Sequence, residues 1–378
     1  MGPVVPASLT LPWNGRRFAR RQSVSSGRAP SDLRMYLGVI VNPLARKNRG
    51  EAAGNRSADL RRIVGPWGEV HETGSVEDLR NTVEQLYPRV SHLVGDGGDG
   101  VLHWLINEIQ QCVSDPERWP TFVPTNGGSV NAVARKARVR GRADAIVRAL
   151  TAAAEMDRPP PEVCLDTLEL DGETADGATF HRLCFGLVAG AVGNRFYDRY
   201  YDYPDHGRLA VARVIARTFG DYVTSKVAPG RSKTPNYASV LFAPTRARVV
   251  IDGEEVPTRT HRLLHAGAID LRIGGPLRLF PKACEPGALH FQAGELRPSR
   301  IIAQLPAALT NGTVRGDRVR DVNGREMIIE AEEQPLSPII DGERFDGIVR
   351  LVARAGPQIR IAQVASSTAA PARGTTEA

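Results

Sequence analysis

The chain has 378 residues, of which 42% are hydrophobic and 24% charged, and it carries a formal net charge of +7. This composition is typical of a globular protein with room for two domains, and its longest central apolar run, FGLVAGAVG, is too short to cross a bilayer. The four cysteines show no CxxC spacing, which argues against a disulfide framework or a zinc site and favours a reducing, intracellular compartment.

Both ends of the chain are predicted to be disordered. Residues 1–33 hold five arginines and one acid, Asp32, for a net charge of +4, and residues 364–378 are of low complexity. The basic tail fits three interpretations: a disordered leader, an organelle transit peptide, or an arm on anionic lipid, where each basic residue contributes about 1 kcal/mol.

Between residues 35 and 137 the pattern alternates strand and helix. Helices are predicted in SVEDLRNTVEQLY, which opens with a Ser-x-x-Asp capping box, in the segment from Val101 to Ile109, and in SVNAVARKA, with Ser129 as its cap. Such alternation predicts a parallel sheet with ligands at the carboxyl ends of its strands. The strands are predicted in the apolar runs MYLGVIVNP, EVHET, VSHLV and TFVPTNGG.

After DRPPPEV the pattern changes to short alternating segments with Asp-Gly turns, the strongest short-range hairpin signal. These turns occur in CLDTLELDGET, ARVVIDGEEV and SPIIDGERFDGIVRLV, and one helix is predicted around GRLAVARVIARTF. We therefore predict an α/β domain over residues 34–158 and a mainly antiparallel β domain over residues 159–363.

The loop GDGGDG, residues 95–100, follows a strand and precedes a helix. It matches the dinucleotide fingerprint G-x-G-x-x-G, with Asp115 or Glu117 near the distance expected for a ribose contact, but it lacks the Gly-Lys-Ser/Thr of a Walker A loop. A tight turn without a ligand is a second interpretation. A third is a phosphate cradle in which a carboxylate faces Mg²⁺ or takes a proton from an attacking hydroxyl, as phosphoryl transfer requires.

Four blocks in order resemble the diacylglycerol kinase/sphingosine kinase/ceramide kinase superfamily of lipid kinases. They are VIVNP, GGDGVLHWLIN, GGSVNAVAR and IIDGER, and the resemblance spans roughly residues 35–362. Val101, His103, Ser129 and Ala132 are closest to the sphingosine/ceramide kinase type of the blocks.

The resemblance implies an NAD kinase/diacylglycerol kinase-like α/β fold, in which an N-terminal nucleotide-binding domain precedes the β-rich, lipid-binding domain. It implies ATP and Mg²⁺ as cofactors, with Asp99 as general base or metal contact. His103 and Trp104 are interpreted as packing residues. The residues that inherit nucleotide contacts from the family are Asn42, Pro43, Lys47, Thr73, Gly97, Gly98, Gly100, Gly128, Ser129, Asn131 and Glu343.

The sequence departs from the family pattern at several positions. Trp104 stands where a glutamate is usual, and Pro286, beside Glu285, replaces an aspartate proposed as a base in bacterial relatives. Gly190 and Val192 stand where sphingosine kinases have aspartates near the lipid head group, which favours ceramide or diacylglycerol over a sphingoid base.

The sequence therefore predicts an ATP-dependent lipid kinase that phosphorylates a hydroxyl of ceramide, diacylglycerol or a sphingoid base. It is expected in the cytoplasm, peripherally associated with the inner membrane face. The alternatives are a catalytically weakened nucleotide- and lipid-binding homologue and an NAD kinase-like enzyme. A nucleic-acid partner is not expected, because no stacking aromatics are interleaved with the basic residues. The oligomeric state is left open, with a homodimer as one option.

Overall fold

The structure, a computed structural model, describes residues 34–43, 55–128, 130–203, 207–227, 236–273, 277–310 and 314–365. Within these residues it contains three six- or seven-stranded sheets and one small hairpin. None of the helices in these ranges combines the length and apolar character needed to cross a bilayer.

The first sheet has the strand order β2-β1-β3-β4-β21-β5, parallel except for β5. Its central strands are buried along their whole length, because helices cover the sheet and continuous apolar runs fit such strands. The strands are β1 (Leu37–Val41), β2 (Gly68–Glu72), β3 (His92–Asp96), β4 (Thr121–Pro124), β5 (Glu162–Leu165) and β21 (Ile359–Ala362).

Among the residues described in this half of the molecule there are five helices. Ser75 begins the second as predicted, since its hydroxyl accepts a hydrogen bond from the amide of Asp78 at 3.0 Å. The helices are α1 (Arg56–Val64), α2 (Val76–Leu86), α3 (Asp99–Cys112), α4 (Ala132–Lys136) and α5 (Ala143–Glu155), with short 3₁₀ turns at Gly65–Trp67 and Pro116–Arg118.

Two further sheets face each other across a second apolar core that includes Leu168, Val249, Leu264 and Phe291. One has the order β10-β9-β17-β20-β6-β7, with β11 beside β9, and the other has the order β16-β15-β12-β8-β18-β19. Their strands, with those of the separate hairpin β13–β14, are β6 (Leu168–Thr174), β7 (Thr179–Cys184), β8 (Gly186–Val188), β9 (Thr245–Ile251), β10 (Glu254–Glu255), β11 (Thr260–His261), β12 (Leu263–Gly267), β13 (Leu271–Ile273), β14 (Leu277–Leu279), β15 (Leu289–Gly294), β16 (Val319–Gly324), β17 (Glu326–Ala331), β18 (Ile339–Ile340), β19 (Glu343–Arg344) and β20 (Ile348–Ala355).

In the described part of the β-rich half there are four helices, where the sequence predicted one. The predicted helix corresponds to the second of them. They are α6 (Ala191–Tyr201), α7 (Arg208–Val227), α8 (Tyr237–Leu241) and α9 (Pro298–Thr310).

One predicted hairpin turn is wrong. Asp171–Gly172 lies inside β6, and the chain reverses at Asp176–Gly177 instead. Gly172 pairs across the strands with Phe180, and a β-carbon on Gly172 would lie 2.1 Å from that ring. The glycine therefore makes room for an aromatic side chain. The turn at Asp252–Gly253 is confirmed, since both residues have positive φ, as a tight hairpin requires.

The first sheet also receives strands from beyond residue 158, the predicted domain boundary. Strand β5 follows that residue directly, and β21 returns from near the end of the chain to lie between β4 and β5. The two halves share apolar packing as well, because Phe185 and Phe280 belong to the core of the first sheet.

Candidate active site

The predicted nucleotide contacts converge at the carboxyl edge of the first sheet. Val41, the last residue of β1, pairs with Glu72 on one side and Asp96 on the other. Asn42, Thr73 and Gly97 each follow one of these strands and therefore lie side by side. The buried Thr73 is fixed there, because its amide donates to the carbonyl oxygen of Val41 at 3.0 Å. Pro43 follows Asn42 at the same edge.

The two glycine loops touch each other backbone to backbone. A β-carbon on Gly98 would lie 2.6 Å from the Cα of Gly128, and one on Gly127 would lie 2.9 Å from the Cα of Gly97. The Gly127 amide also donates to the Gly97 carbonyl oxygen at 2.9 Å. Only glycine permits this approach, so the glycines are needed for contact between the loops.

The first loop leads directly into the 14-residue helix α3. In the described part of the chain, the amides of Gly98, Asp99 and Gly100 donate no hydrogen bond, whereas those of Val101 and Leu102 donate to the Gly98 carbonyl oxygen. Unpaired amides at a helix N-terminus, together with the helix dipole, stabilise an anion. The geometry therefore suits a phosphate.

Asp99 connects the two loops through its side chain. Its carboxylate accepts hydrogen bonds from the amides of Ala132 at 2.7 Å and Val133 at 3.2 Å, and so caps α4. Ser129, the cap predicted from sequence, lies outside the described residues, and α4 begins three positions after it. Burial raises the pKa of Asp99 to about 6; the charge of Asp341 acts in the same direction and the two amides oppose it.

Asn131 shapes the second loop. It has a left-handed backbone with φ of 49°, and its side-chain amide spans the loop. The Gly128 amide donates to Asn131 Oδ1 at 3.0 Å, and Asn131 Nδ2 donates to the Gly128 carbonyl oxygen at 2.9 Å. This side chain therefore holds Gly128 in place against the first loop. Lys47, another predicted contact, lies outside the described residues.

Glu343 arrives from the β-rich half. Its Oε1 lies 2.6 Å from where a β-carbon on Gly100 would be, beside the first turn of α3. Its carboxylate accepts no hydrogen bond from any residue that the structure describes. Burial, with the nearby charge of Asp341, raises the pKa of Glu343 to about 7. A mostly buried carboxylate that no described residue pairs with, beside the N-terminus of α3, fits a divalent cation bound between protein and phosphate oxygens.

Asp341 is a residue of this site that the sequence analysis did not single out. It adopts φ of 48° in the turn between β18 and β19. Its buried carboxylate accepts from the Phe185 amide at 2.9 Å and the Gly186 amide at 3.0 Å, and it lies 3.1 Å from His103 Nδ1. Asp341 thus ties α3 to the β-rich half, and the Asp-Gly-Glu block already contained the signal.

Asp96, at the end of β3, is a second such residue. It is 1% exposed and accepts two hydrogen bonds from Arg56, at 2.8 and 3.0 Å, and one from Thr125 at 3.2 Å. Arg56 also pairs with Asp144. This buried pair anchors the end of β3 from which the first glycine loop departs.

The positions that depart from the family pattern lie mostly away from the loops. Trp104 packs in the core, with the guanidinium carbon of Arg182 5.1 Å from its ring centroid. Glu285 and Pro286 are exposed on a turn. Gly190 precedes α6, and a β-carbon there would lie 2.8 Å from the Thr245 hydroxyl.

Comparisons with a protein-family model and with solved structures both lead to diacylglycerol kinases. Residues 36–158 match the diacylglycerol kinase catalytic domain. A solved diacylglycerol kinase from Bacillus anthracis has a TM-score of 0.50 at 15% identity, covering 86% of this chain and 96% of its own. Another structure from that organism, described as a candidate diacylglycerol kinase, has a TM-score of 0.56 at 15% identity, covering 87% and 97%.

Yeast NADH kinase in complex with NADH also matches, at 10% identity with a TM-score of 0.47, covering 92% of this chain and 90% of its own. A search of curated protein sequences finds no significant match. At these identities the structural likeness establishes the fold, and the predicted fold class is confirmed.

Proposed function

The chain belongs to the diacylglycerol kinase superfamily through residues 36–158, and on that premise we propose that it transfers the γ-phosphate of ATP to a hydroxyl of a membrane lipid. One observation carries this proposal: two glycine loops touch at the start of α3, where three amides donate no hydrogen bond within the described residues, with the carboxylates of Asp99 and Glu343 beside them. This combination is suited to phosphoryl transfer, because that reaction depends on positioning the reacting groups and on neutralising the charge of the phosphates.

The backbone would act on the phosphates. The free amides of Gly98, Asp99 and Gly100 would donate to phosphate oxygens, and Gly128 would close the cradle from the second loop. Asn42, Thr73 and Gly97, on the neighbouring strand ends, would line the nucleotide site. Because these donors are fixed before ATP binds, little reorganisation accompanies the reaction.

Asp99 and Glu343 would divide the acid–base and metal roles. Asp99, with its pKa near 6, would accept the proton of the attacking lipid hydroxyl. Glu343, whose carboxylate accepts no hydrogen bond from the described residues, would hold Mg²⁺ against the phosphates. Bound Mg²⁺ would neutralise the charge that develops on the phosphoryl oxygens.

We propose diacylglycerol or ceramide as the acceptor class. Gly190 and Val192 supply no acid to pair with the amine of a sphingoid base, and a side chain at position 190 would meet Thr245. An acceptor of this kind resides in the bilayer, so we propose that the protein works in the cytoplasm at the inner membrane face.

A second candidate, a nucleotide- and lipid-binding protein with little turnover, is favoured by one observation. Both carboxylate oxygens of Asp99 already accept amides of α4, which reduces the capacity of this group to act as a base. An NAD kinase-like activity is the third possibility to be tested.

The test is transfer of radiolabelled phosphate from ATP to diacylglycerol, ceramide, sphingosine and NAD, with Asp99→Asn beside the wild type. We expect labelled lipid from the wild type and a loss of at least about 10²-fold in Asp99→Asn, since a base contributes 10²–10⁴-fold. Asp59→Asn, at an exposed carboxylate of α1, is the matched control and should retain activity.

The possible results separate the candidates. ATP binding without labelled product on any acceptor would favour the second candidate, and labelled NAD alone would favour the third. Full activity of Asp99→Asn would remove Asp99 from the mechanism. Urea unfolding of both variants shows whether a loss of activity reflects a loss of folding.

A further inference from the structure

Helix α7 is 20 residues long and has an apolar face in solvent. Four of its large apolar side chains are exposed: Leu209 by 68%, Phe219 by 52%, Val223 by 42% and Val227 by 79%. In the described part of the chain, Met156 is the only other large apolar side chain so exposed. Together with the exposed Ala212 and Ala216 they recur every three or four residues, which places them on one side of the helix. The α7 stripe consists of Leu209, Ala212, Ala216, Phe219, Val223 and Val227.

Within the described residues, α7 joins two apolar clusters through its opposite side. Val214 lies in an apolar cluster with Leu241 and Phe242, and Val211 lies in another with Tyr200. The exposed α7 stripe therefore takes no part in either cluster. Contiguous exposed apolar surface of this kind marks an interaction site in soluble proteins.

The charges on α7 indicate the chemistry of the partner. At 100° per residue, Arg213 and Lys226 flank the α7 stripe on opposite sides, and both are exposed. Asp221, the only acid of the helix, lies on the packed side, where it accepts from the Ala238 amide at 2.8 Å. The stripe is thus bordered by cations without an exposed acid on the same helix.

We propose that the α7 stripe docks on a bilayer surface that contains anionic lipid, with α7 lying in the interfacial plane. Apolar side chains flanked by Lys and Arg are the features of such interfacial helices. A second copy of the chain fits less well, because a two-fold contact between stripes would bring the same cations together. Anionic head groups supply the opposite charge instead.

This proposal rests on the proposed function and adds the surface through which the acceptor is reached. Helix α6 packs against α7 and contacts the segment that carries Glu343. The Tyr197 hydroxyl donates to the Gly342 carbonyl oxygen, and Asp198 pairs with Arg344. The docked helix would therefore lie one helix away from the candidate active site, so lipid drawn from the bilayer has a short path to it.

The experiment measures sedimentation of the full chain with vesicles of phosphatidylcholine, with and without phosphatidylglycerol. We compare the wild type, Phe219→Asp/Val223→Asp, and Met156→Asp as the matched control at an exposed apolar residue elsewhere. The stripe variant should bind anionic vesicles at least about tenfold more weakly, while Met156→Asp should bind like the wild type. Arg213→Glu/Lys226→Glu should lose most of the preference for phosphatidylglycerol, since each basic residue near the surface contributes about fivefold.

Phosphorylation of detergent-dispersed diacylglycerol separates this proposal from the proposed function. The stripe variant should retain that activity and its resistance to urea, because the substituted side chains are exposed. Unchanged vesicle binding by the stripe variant would overturn the proposal and leave the basic tail as the lipid contact. A dimer in analytical ultracentrifugation that Phe219→Asp/Val223→Asp disrupts, with no vesicle binding by the wild type, would overturn it in favour of self-association.

Discussion

Replacing Gly98 by alanine would test the idea that the two glycine loops must touch. Gly98 has φ of −105°, which suits any residue, so the effect of Gly98→Ala is purely steric. The new β-carbon would lie 2.6 Å from the Gly128 Cα, whereas carbon atoms pack at about 3.5–4.0 Å. The loops must therefore separate by roughly 1 Å.

We expect two measurable results from this separation. The free energy of unfolding in urea should fall by about 1–3 kcal/mol, the usual effect of overpacking. A displacement of 1 Å in an active site can reduce catalysis by about 10²-fold. We therefore expect the affinity for ATP, measured by displacement of a fluorescent analogue, to fall at least about tenfold.

Gly220→Ala is the control for the loop variant. A β-carbon on Gly220 meets no atom within 4 Å, and alanine in a helix is more stable than glycine by about 1 kcal/mol. We therefore expect unchanged ATP affinity and equal or greater stability. Wild-type ATP affinity in Gly98→Ala would refute the reasoning, since the close approach of the loops would then be irrelevant to the nucleotide.

Three further predictions concern the charged residues. The raised pKa of Glu343 means that the folded state binds more protons between about pH 4.5 and 7. The wild type should therefore lose up to about 3 kcal/mol of stability relative to Glu343→Gln as pH rises through that interval, as measured by urea unfolding. Arg56→Ala should destabilise the protein by about 3–5 kcal/mol in the same assay, because it removes both Arg56 hydrogen bonds from a carboxylate that is 1% exposed, and near-native stability would contradict this. The midpoint of urea unfolding should be higher for Asp341→Asn than for Asp341→Ala, because asparagine tolerates the left-handed turn and keeps an acceptor for two amides. Equal midpoints would show that the turn tolerates either residue.

Local signals predicted parts of both halves of the fold. Glycine loops at strand ends, the Ser75 cap and the Asp252–Gly253 turn each depend on a few neighbouring residues, and each is where the sequence placed it. The prediction of a turn at Asp171–Gly172 was wrong, because the same dipeptide also fits a strand in which the glycine faces an aromatic ring across the sheet. Nothing within the dipeptide distinguishes the two.

The site itself was predictable only in part. The loop positions followed from glycine and strand patterns, but the cap that Asp99 provides lies 33 positions before the helix it caps. Asp341 and Glu343 reach α3 from the other half of the molecule. Such contacts depend on tertiary structure, which no local pattern encodes.

The return of β21 has a consequence for how the protein is made. Ile361 pairs with Phe122, so the edge of β4 stays open during translation until residues 359–362 have left the ribosome. Residues 34–158 alone would present that apolar edge to other nascent chains, where unpaired strands recruit one another. The first sheet is therefore completed only after the β-rich segments between residues 168 and 355 have been synthesised.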